Sequence, residues 1–247
     1  MSKSIVEKLG QLKFHGMKTA FEISTEMRYQ QNVTPDEFLN HLLQAEWDHR
    51  FNRKLQASIV RARFRYQASI EELHFAEGRN MNKNTIMRLA DCSFIDKQEN
   101  ILITGSTGVG KSFVASALGH QSCMRGYKVL YYNTAKLFSM LRAAKGDGTY
   151  MKEIAKIERP ELLILDDFGL HPFDAQNRLM LLEIIEDRHG KRSTIIASQL
   201  PVAKWYDLLE EQTIADAILD RLVHSSHRIE IKGDSLRKKV KKETEVA

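Results

Sequence analysis

Long apolar runs are missing from this 247-residue sequence. No stretch approaches the roughly 20 apolar residues that cross a bilayer, so we predict no transmembrane helix. The first residues, MSKSIVEKLGQLKF, contain Glu7 and polar breaks, and they therefore lack the apolar centre of a signal peptide. These absences predict a cytoplasmic protein with no membrane partner.

Cysteine is nearly absent as well. The two cysteines, Cys92 and Cys123, are far apart in the sequence and form no CxxC pair. This spacing favours the reduced thiols of a cytosolic protein. Nuclease constellations of the DDE or tyrosine type are also missing, so any cutting of DNA would belong to a partner protein.

Positive charge, in contrast, is in excess, because 37 Lys and Arg stand against 32 Asp and Glu for a formal net charge of +5. One basic cluster lies in the first third of the chain, and a second, KGDSLRKKVKK, lies near its end. Each cluster alone is also typical of a solvated helix face or a tail. Two of them flanking the centre of the chain favour nucleic acid as a partner, with Arg61 and Arg63 as candidate contacts. The first cluster comprises Arg50, Arg53, Lys54, Arg61, Arg63 and Arg65.

The first third of the sequence predicts a small all-helical domain. Its apolar residues recur at helical spacing, and Gly10 and Gly16 are expected to break helices. Thr34 is expected as an N-cap, with Pro35 in the first turn and Glu37 completing a capping box. The helix that follows has one apolar stripe, which predicts packing within the domain or against a neighbouring subunit. The stripe comprises Phe38, Leu42, Trp47, Phe51, Leu55 and Ile59.

From about residue 65 the pattern changes to strand-like apolar runs that alternate with helical segments. The runs are NILITG, KVLYYN, ELLILDD, STIIAS and, last, HRIEIKG. This order predicts an α/β fold with a mostly parallel sheet between helices, whose ligands bind at the carboxyl ends of the strands. We predict three parts: a helical N-terminal domain over 1–64, a nucleotide-binding domain over 65–233, and a basic C-terminal tail over 234–247.

A phosphate-binding loop follows the first predicted strand. The sequence GSTGVGKS matches GxxxxGK[ST] between a predicted strand and a predicted helix, which is the context that the motif requires. Its glycines let successive N–H groups turn toward phosphate oxygens at a helix N-terminus. Lys111 is expected to reach the β- and γ-phosphates, and the Ser112 hydroxyl to bind Mg²⁺. The predicted ligand is therefore ATP with Mg²⁺, held by Gly105, Ser106, Thr107, Gly108, Val109, Gly110, Lys111, Ser112 and Phe113.

Two aspartates end the strand ELLILDD. Alone, such a pair is also typical of a turn or a helix cap. Here one complete β-α unit separates the pair from the phosphate loop, and this arrangement predicts a magnesium site. Asp166 is expected to hold Mg²⁺, and Asp167 to polarise the water that attacks the γ-phosphate. The strand STIIAS is followed by a further polar pair, so Ser198 and Gln199 are candidates to contact the γ-phosphate or to position water.

Several motifs together resemble the IstB-like ATP-binding proteins, the transposition helpers encoded beside the transposase of an insertion-sequence family. The segments that carry the resemblance are GSTGVGKS, LLILDDFG, IIASQLPVAKWY, ADAILDRLVH and IEIKGDSLRK, and it covers nearly the whole chain. These helpers are relatives of the helicase loader DnaC and the initiator DnaA within the AAA+ ATPases. The resemblance implies an AAA+ P-loop NTPase core that assembles into a ring or spiral on DNA, with ATP between subunits.

The same resemblance implies roles for two arginines. Arg221 is implied as the arginine finger that reaches a neighbour's γ-phosphate, where it would neutralise charge in the transition state. Arg237 is implied as the second-sensor arginine of its own subunit, although the sequence leaves these two roles exchangeable. The first sensor is implied at Ser198 or Gln199, and the sequence does not choose between them.

An insertion between the second and third strands, LRAAKGDGTYMKEIAKIERP, matches the position of an extra helical element in the initiator-like branch. The resemblance implies that this element contacts nucleic acid, with Arg142, Lys145 and Lys152 as candidates. Such contacts would be made to phosphates and would be largely independent of sequence. An ordinary charged surface loop is the alternative for each of these residues.

The sequence therefore predicts an ATP-hydrolysing, DNA-binding helper that works as a homo-oligomer and recruits or stimulates a transposase. The alternative is a DnaC-like replicative helicase loader, which would use the same ATPase with a helicase as partner. A small-molecule kinase would need an arginine-rich lid over the phosphates, and no clear lid is present in the sequence.

Overall fold

The computed structural model describes residues 2–27 and 33–236. The chain divides into two compact units, residues 1–57 and 58–247. The predicted boundaries at residues 64 and 233 stay predictions. Arg237, the implied second sensor, and most of the predicted tail lie outside the described residues. Within the described ranges, no helix is long and apolar enough to cross a membrane.

Three helices lie in the described part of the N-terminal unit, the last of which extends beyond it. They are α1 (Ser2–Gln11), α2 (His15–Glu26) and α3 (Pro35–Ala62). The predicted capping box opens α3: the Glu37 carboxylate accepts the Thr34 N–H at 2.8 Å, and the Glu37 N–H donates to the Thr34 hydroxyl at 3.3 Å. This cap is confirmed, and it satisfies backbone groups that a helix start otherwise leaves unpaired.

The apolar stripe predicted on α3 is divided between two faces. Leu42 is buried, and Phe38 packs on the same small core, with its ring centroid 6.2 Å from that of Phe21. Trp47 and Phe51, in contrast, are 71% and 50% exposed. They continue a row of exposed apolar side chains at four-residue spacing. We call this row the exposed α3 row: Leu39, Leu43, Trp47 and Phe51.

Gly16 lies inside α2 and does not break it, contrary to the expectation from sequence. A Cβ at Gly16 would lie 2.3 Å from the Ala45 carbonyl oxygen, so α2 and α3 approach closely at this point. The Glu46 carboxylate stabilises this contact, because one of its oxygens accepts hydrogen bonds from the N–H groups of Gly16 at 2.8 Å and Met17 at 3.2 Å. Its other oxygen accepts from Arg50 Nε at 2.6 Å. Glu46 therefore joins the start of α2 to α3.

Replacing Glu46 with glutamine is expected to destabilise the N-terminal unit by about 1–2 kcal/mol at neutral pH, because charged hydrogen bonds are lost. Burial raises the pKa of Glu46, but the hydrogen bonds from Arg50, Met17 and Gly16 outweigh it and hold the pKa below the usual 4.5. The stabilisation by the carboxylate is therefore complete above the unfolded-state pKa and is lost as the pH falls through the lower folded-state pKa.

Hydrogen exchange of the α2 amides at several pH values measures this effect, and the deficit of Glu46→Gln should shrink toward zero in acid. Glu26→Gln, which removes an exposed carboxylate from the same helix, serves as the control and should change nothing. A deficit that is equal at pH 3 and pH 7 would contradict the role of the charge.

In the described part of the second unit, five parallel strands form one sheet with the order β2-β3-β4-β1-β5. This arrangement confirms the predicted α/β core. Ile101, Leu102 and Ile103 have no exposed surface, because a parallel sheet is covered on both faces. The strands are β1 (Asn100–Gly105), β2 (Val129–Asn133), β3 (Leu162–Phe168), β4 (Ser193–Ser198) and β5 (Ser226–Ile231).

Two helices, α4 (Lys83–Ala90) and α5 (Ser93–Asp96), precede β1. Helices also connect the parallel strands, as such strands require. The connecting helices are α6 (Lys111–Met124), α7 (Thr134–Gly146), α8 (Tyr150–Glu158), α9 (Ala175–Arg188), α10 (Trp205–Leu209) and α11 (Gln212–Val223). Because β4 lies between β3 and β1, the carboxyl ends of these three strands meet at one edge of the sheet. The phosphate loop, the two aspartates and the polar end of β4 are brought together there.

Candidate nucleotide site

The phosphate loop joins β1 to α6, as the sequence predicts. Gly105, Gly108 and Gly110 have φ values of 148°, 84° and 98°, which residues with a Cβ rarely adopt. At Gly108 a Cβ would also lie 2.2 Å from the Ser235 hydroxyl oxygen. The loop is therefore a close-fitting backbone cradle at the N-terminus of a 14-residue helix, which is the arrangement that binds phosphate.

Lys111, the first residue of α6, is held inside this cradle. Its side chain is buried, and Nζ donates to the Ser106 carbonyl oxygen at 2.8 Å. The ammonium group is thus kept at the loop, where a triphosphate would place its β- and γ-phosphates.

Ser112 and Asp166 meet as a magnesium site requires. The Ser112 hydroxyl donates to Asp166 Oδ1 at 2.8 Å, and Asp166 is only 1% exposed. A hydroxyl and one or two carboxylates beside a phosphate cradle are the protein ligands that Mg²⁺ takes with a nucleotide. Within the described ranges, no group of three or more His, Cys, Asp or Glu side chains could hold a metal ion by itself. The Ser112 hydroxyl and the Asp166 carboxylate fit Mg²⁺ that is bound together with phosphates.

The second oxygen of Asp166 is also occupied. Oδ2 accepts hydrogen bonds from the Tyr131 hydroxyl and from Arg65 NH1, the latter at 3.1 Å. Burial, followed by the charge of Asp166, raises the pKa of Tyr131 far above its usual value, so Tyr131 stays a hydrogen-bond donor. Thr134 adds a hydrogen bond from its hydroxyl to the Asp166 backbone carbonyl at 2.8 Å. Asp166 is thus held in one orientation.

The backbone conformation of Asp167 accompanies an irregularity in the pairing of β3 with β4. The register of β3 with β4 shifts between Leu165 and Phe168, and Asp167 has a φ of 54°, in the left-handed region. This conformation costs free energy in a residue with a Cβ, and such strain is concentrated at functional sites. The Asp167 carboxylate accepts from Arg65 NH1 at 2.8 Å and from Asn133 Nδ2 at 2.9 Å. It is 22% exposed and therefore remains accessible to a water molecule.

The structure separates the two residues between which the sequence did not choose. Ser198 is fully buried; its hydroxyl donates to the Phe168 carbonyl at 2.7 Å and accepts the Leu200 N–H at 3.1 Å. Gln199 instead lies at the phosphate loop, where its Oε1 accepts from the Thr107 hydroxyl at 2.6 Å. Of the pair, Gln199 has its side chain in the site.

A cavity of about 360 Å³ lies over these groups. Its walls include residues of the phosphate loop and the aromatic pair Tyr66 and Phe113, whose ring centroids are 6.1 Å apart. Leu236 also lines the cavity, and its N–H donates to the Gly108 carbonyl at 3.0 Å. Val109, a residue of the loop, is buried. The described start of the predicted tail therefore belongs to the site.

Arg221 lies at the other end of the sheet. Its carbonyl oxygen accepts from Asn100 Nδ2 at 3.2 Å, and Asn100 begins β1 whereas Gly105 ends it. A strand of this length spans roughly 17–20 Å, so the Arg221 side chain does not reach the nucleotide site of its own subunit. The guanidinium group is 26% exposed and donates to Glu186 on α9 at 2.9 Å.

The residues named as DNA contacts are on the surface. Arg142 lies on α7 and pairs with Asp174 at 3.0 Å, while Lys145 lies 4.6 Å above the Tyr150 ring. Lys152 is exposed on α8. Helices α7 and α8 occupy the position between β2 and β3 where an inserted helical element was expected. Arg61 and Arg63 are exposed around the end of α3.

Sequence reasoning missed three residues of the site. Arg65 was read as one member of a basic cluster, and Tyr131 and Asn133 as ordinary residues of a strand and its end. The only available signal was that Tyr131 and Asn133 belong to the strand next to the aspartates. No local pattern pairs Arg65 with residues 101 and 102 positions away.

Comparisons with known proteins identify the family of this chain. A family model described as IstB-like ATP binding protein matches residues 7–244. The chain is 43% identical over 233 residues to the insertion sequence ATP-binding protein y4pL of Sinorhizobium fredii, covering 94% of this chain and 95% of that protein. It is 29% identical over 238 residues to the insertion sequence IS21 ATP-binding protein of Pseudomonas aeruginosa, covering 96% and 90%.

Two solved structures show the same fold at low identity. The DnaC helicase loader matches with a TM-score of 0.57 and 21% identity over 68% of this chain and 98% of that one. AMPPCP-bound DnaA from Aquifex aeolicus matches with a TM-score of 0.57 and 20% identity over 74% and 56%. The phosphate loop, the acidic end of β3 and the family match lead to one conclusion: this chain belongs to the IstB-like ATP-binding proteins and has an AAA+ core.

Proposed function

We propose that the protein is an ATP-hydrolysing AAA+ helper that assembles on DNA and recruits or stimulates a transposase. The observation that carries the proposal is the division of the catalytic groups. Lys111, Ser112 and Asp166 meet at the carboxyl end of the sheet, whereas Arg221 lies half-buried at the opposite end. A complete site therefore needs the Arg221 of a second subunit.

Within one subunit the side chains have separate tasks. Lys111 would bind the β- and γ-phosphates, and Ser112 and Asp166 would hold Mg²⁺, which would supply positive charge for the transferring phosphoryl group. Asp167 polarises the attacking water from its partly exposed position. Gln199, hydrogen-bonded to Thr107, acts as the first sensor of the γ-phosphate. Arg237 is proposed as the second sensor, and Leu236, the residue before it, lies against the phosphate loop.

Assembly follows from the same arrangement. Each subunit offers a nucleotide at one end and an arginine at the other, so subunits join head to tail into a ring or spiral. Bound ATP holds the interface together, and hydrolysis releases it. The exposed α3 row adds an apolar surface of the kind that marks protein contacts, which supports self-assembly or binding of the transposase through the N-terminal unit.

DNA is proposed to bind through α7, α8 and the end of α3. Arg142, Lys145, Lys152, Arg61 and Arg63 supply exposed positive charge there. Contacts of this kind go to phosphates, and the resulting affinity falls steeply with salt. The names of the relatives as insertion sequence proteins favour a transposase as partner, and a cytoplasmic location accords with that role.

A replicative helicase is the second candidate partner, because DnaC is a helicase loader of the same fold. Pull-downs with the transposase from a neighbouring reading frame and with the host helicase distinguish the two. Capture of the helicase alone would replace the transposase in the proposal.

Electron microscopy of the full chain with random-sequence duplex DNA tests the proposed function. We expect rings, spirals or filaments on DNA with ATP or the non-hydrolysable AMPPCP, and isolated particles without nucleotide. ATP should also allow disassembly over time, whereas AMPPCP should not. A monomer that is indifferent to nucleotide, or that fails to bind DNA at low salt, would contradict the proposal.

A further inference from the structure

Two successive carbonyl groups of the phosphate loop are hydrogen-bonded from outside the loop. The Leu236 N–H donates to the Gly108 carbonyl at 3.0 Å, and the Arg79 guanidinium group donates to the Val109 carbonyl through NH2. A Cβ at Gly110 would lie 3.4 Å from the same NH2 atom. Arg79 therefore lies against the peptide that joins Val109 to Gly110, on the side of its carbonyl oxygen.

The contact with Arg79 fixes the direction of one N–H group of the loop. A trans peptide is planar, so its C=O and N–H groups point in opposite directions. Because the Val109 carbonyl points toward Arg79, the Gly110 N–H points away from it. In the same way, the contact of Leu236 with the Gly108 carbonyl turns the Val109 N–H inward. A phosphate cradle consists of successive N–H groups that are directed to one side in this way.

Without an outside donor, the peptide between Val109 and Gly110 could turn over easily. Such a rotation changes ψ of Val109 and φ of Gly110, and glycine adopts φ values of either sign at little cost. Gly110 has a φ of 98°. A reversed peptide would direct the Val109 carbonyl oxygen, which carries partial negative charge, toward the phosphates and would repel them. The glycine that permits the loop conformation therefore does not by itself maintain it.

Arg79 is held in place by two other parts of the second unit. NH1 donates to the His74 carbonyl at 2.9 Å, and the Arg79 carbonyl accepts the Lys232 N–H at 2.9 Å. Lys232 directly follows β5, so this backbone contact joins Arg79 to the sheet. Burial lowers the pKa of Arg79, but a guanidinium group stays protonated in proteins. The Val109 carbonyl thus accepts a charge-assisted hydrogen bond from a fixed donor.

Building on the proposed nucleotide site, we propose that Arg79 is a positioning residue that holds the peptide between Val109 and Gly110 in the orientation that binds phosphate. Arg79 acts through the phosphate loop and does not need to touch the nucleotide. The N–H groups of such a loop bind the α- and β-phosphates, which ADP and ATP share. The contribution of Arg79 should therefore be equal for both nucleotides, whereas a group that binds the γ-phosphate would favour ATP alone.

Titration of ADP and of AMPPCP into the full chain tests the contribution of Arg79 to affinity. We expect Arg79→Ala to bind both nucleotides at least about tenfold more weakly, because a charge-assisted hydrogen bond that orients the loop is lost. Guanidinium ions at a non-denaturing concentration should restore part of the affinity, whereas sodium ions at the same concentration should not. Arg88→Ala, which removes an exposed arginine from α4, is the control and should bind like the unaltered protein.

Three results of these titrations would overturn the proposal. The first is unchanged ADP binding by Arg79→Ala, and the second is a loss that is confined to AMPPCP. The third is a loss that guanidinium ions do not relieve, because it would trace to altered packing and not to the missing donor.

Nuclear magnetic resonance observes the proposed contact directly, because Val109 and Gly110 form the single Val-Gly pair in the sequence. A chain with ¹³C in its valine carbonyls and ¹⁵N in its glycines gives one signal from this peptide. In the unaltered protein, ADP should shift the Gly110 amide and leave the Val109 carbonyl nearly constant, since its contact with Arg79 persists. In Arg79→Ala, the carbonyl signal should already differ before nucleotide is added.

Two outcomes of this measurement would contradict the contact. One is an identical carbonyl signal in Arg79→Ala and the unaltered protein. The other is a carbonyl signal that moves as far as the amide signal when ADP binds to the unaltered protein, because the peptide would then be reoriented by the nucleotide. If neither ADP nor AMPPCP binds the unaltered protein, the proposed function fails, whereas the carbonyl signal of Arg79→Ala still decides the role of Arg79.

Discussion

Replacing Lys111 with alanine is expected to lower the affinity for AMPPCP by at least about 100-fold, because charged hydrogen bonds to two phosphates are lost. The expectation follows from the position of the side chain. Lys111 is buried at the start of α6, and its Nζ is held 2.8 Å from the Ser106 carbonyl, inside the phosphate loop. Because the Lys111 side chain is already restricted, it loses little conformational entropy when a phosphate binds. Most of the interaction energy therefore contributes to the affinity.

Isothermal titration with AMPPCP and Mg²⁺ measures the loss. Alanine is a strong helix former, so α6 should persist and the melting temperature should change by only a few degrees. Lys128→Ala, which removes an exposed lysine just before β2, is the matched control and should bind like the unaltered protein. An affinity of Lys111→Ala within tenfold of the unaltered protein would contradict the assignment of the loop.

Replacing Arg221 with alanine is expected to lower the DNA-stimulated hydrolysis rate by about 1000-fold or more, which is the usual worth of an arginine finger. Nucleotide affinity should change little, because Arg221 lies at the end of the sheet away from its own phosphate loop. Stability should also change little, since the pair with Glu186 is partly exposed and such pairs contribute at most about 1 kcal/mol.

Mixing two defective variants distinguishes action between subunits from action within one. Lys111→Ala subunits still carry Arg221, and Arg221→Ala subunits still carry an intact phosphate loop. In an equal mixture about a quarter of the head-to-tail interfaces combine the two intact parts, so about a quarter of the normal rate should return. No recovery would contradict a role in trans, because neither variant has both groups.

A control variant separates this effect from a general change of charge. Arg192 lines the same cavity as Arg221 and is 4.0 Å from its acidic partner Glu161. Arg192→Ala should hydrolyse ATP at nearly the normal rate. An equal loss of hydrolysis rate in both variants would indicate that positive charge on this surface is needed in general. It would contradict a specific role of Arg221 as an arginine finger.

The local patterns of the sequence determined the parts of the site that lie within one motif. The glycine spacing of GSTGVGKS requires positive φ values, and the loop has them. The capping box at Thr34 and Glu37 formed as predicted, because both partners belong to one turn. Apolar strands alternating with helices predicted the parallel sheet, since each strand needs cover on both faces.

Choices between neighbours needed the tertiary structure. Ser198 and Gln199 are equally polar in the sequence, but the register of β4 turns one toward the Phe168 carbonyl and the other toward Thr107. Gly16 was expected to end a helix, whereas it permits the close approach of α3. Each outcome depends on a partner that is distant in the chain.

The apolar stripe of α3 shows the same limit. Its spacing predicted one packing face, yet Leu42 is buried and Trp47 is 71% exposed. Periodicity predicts only approximately which residues share one side of the helix. The position of α2 decides which of these residues are buried.

Arg65 is the clearest case. The sequence placed it among basic residues near α3, and charge alone favoured a polyanion as its partner. The fold brings it instead to Asp166 and Asp167. A local motif can be predicted from the sequence because its geometry is set by the backbone of a few adjacent residues. A contact across 101 positions, in contrast, exists only once the sheet has formed.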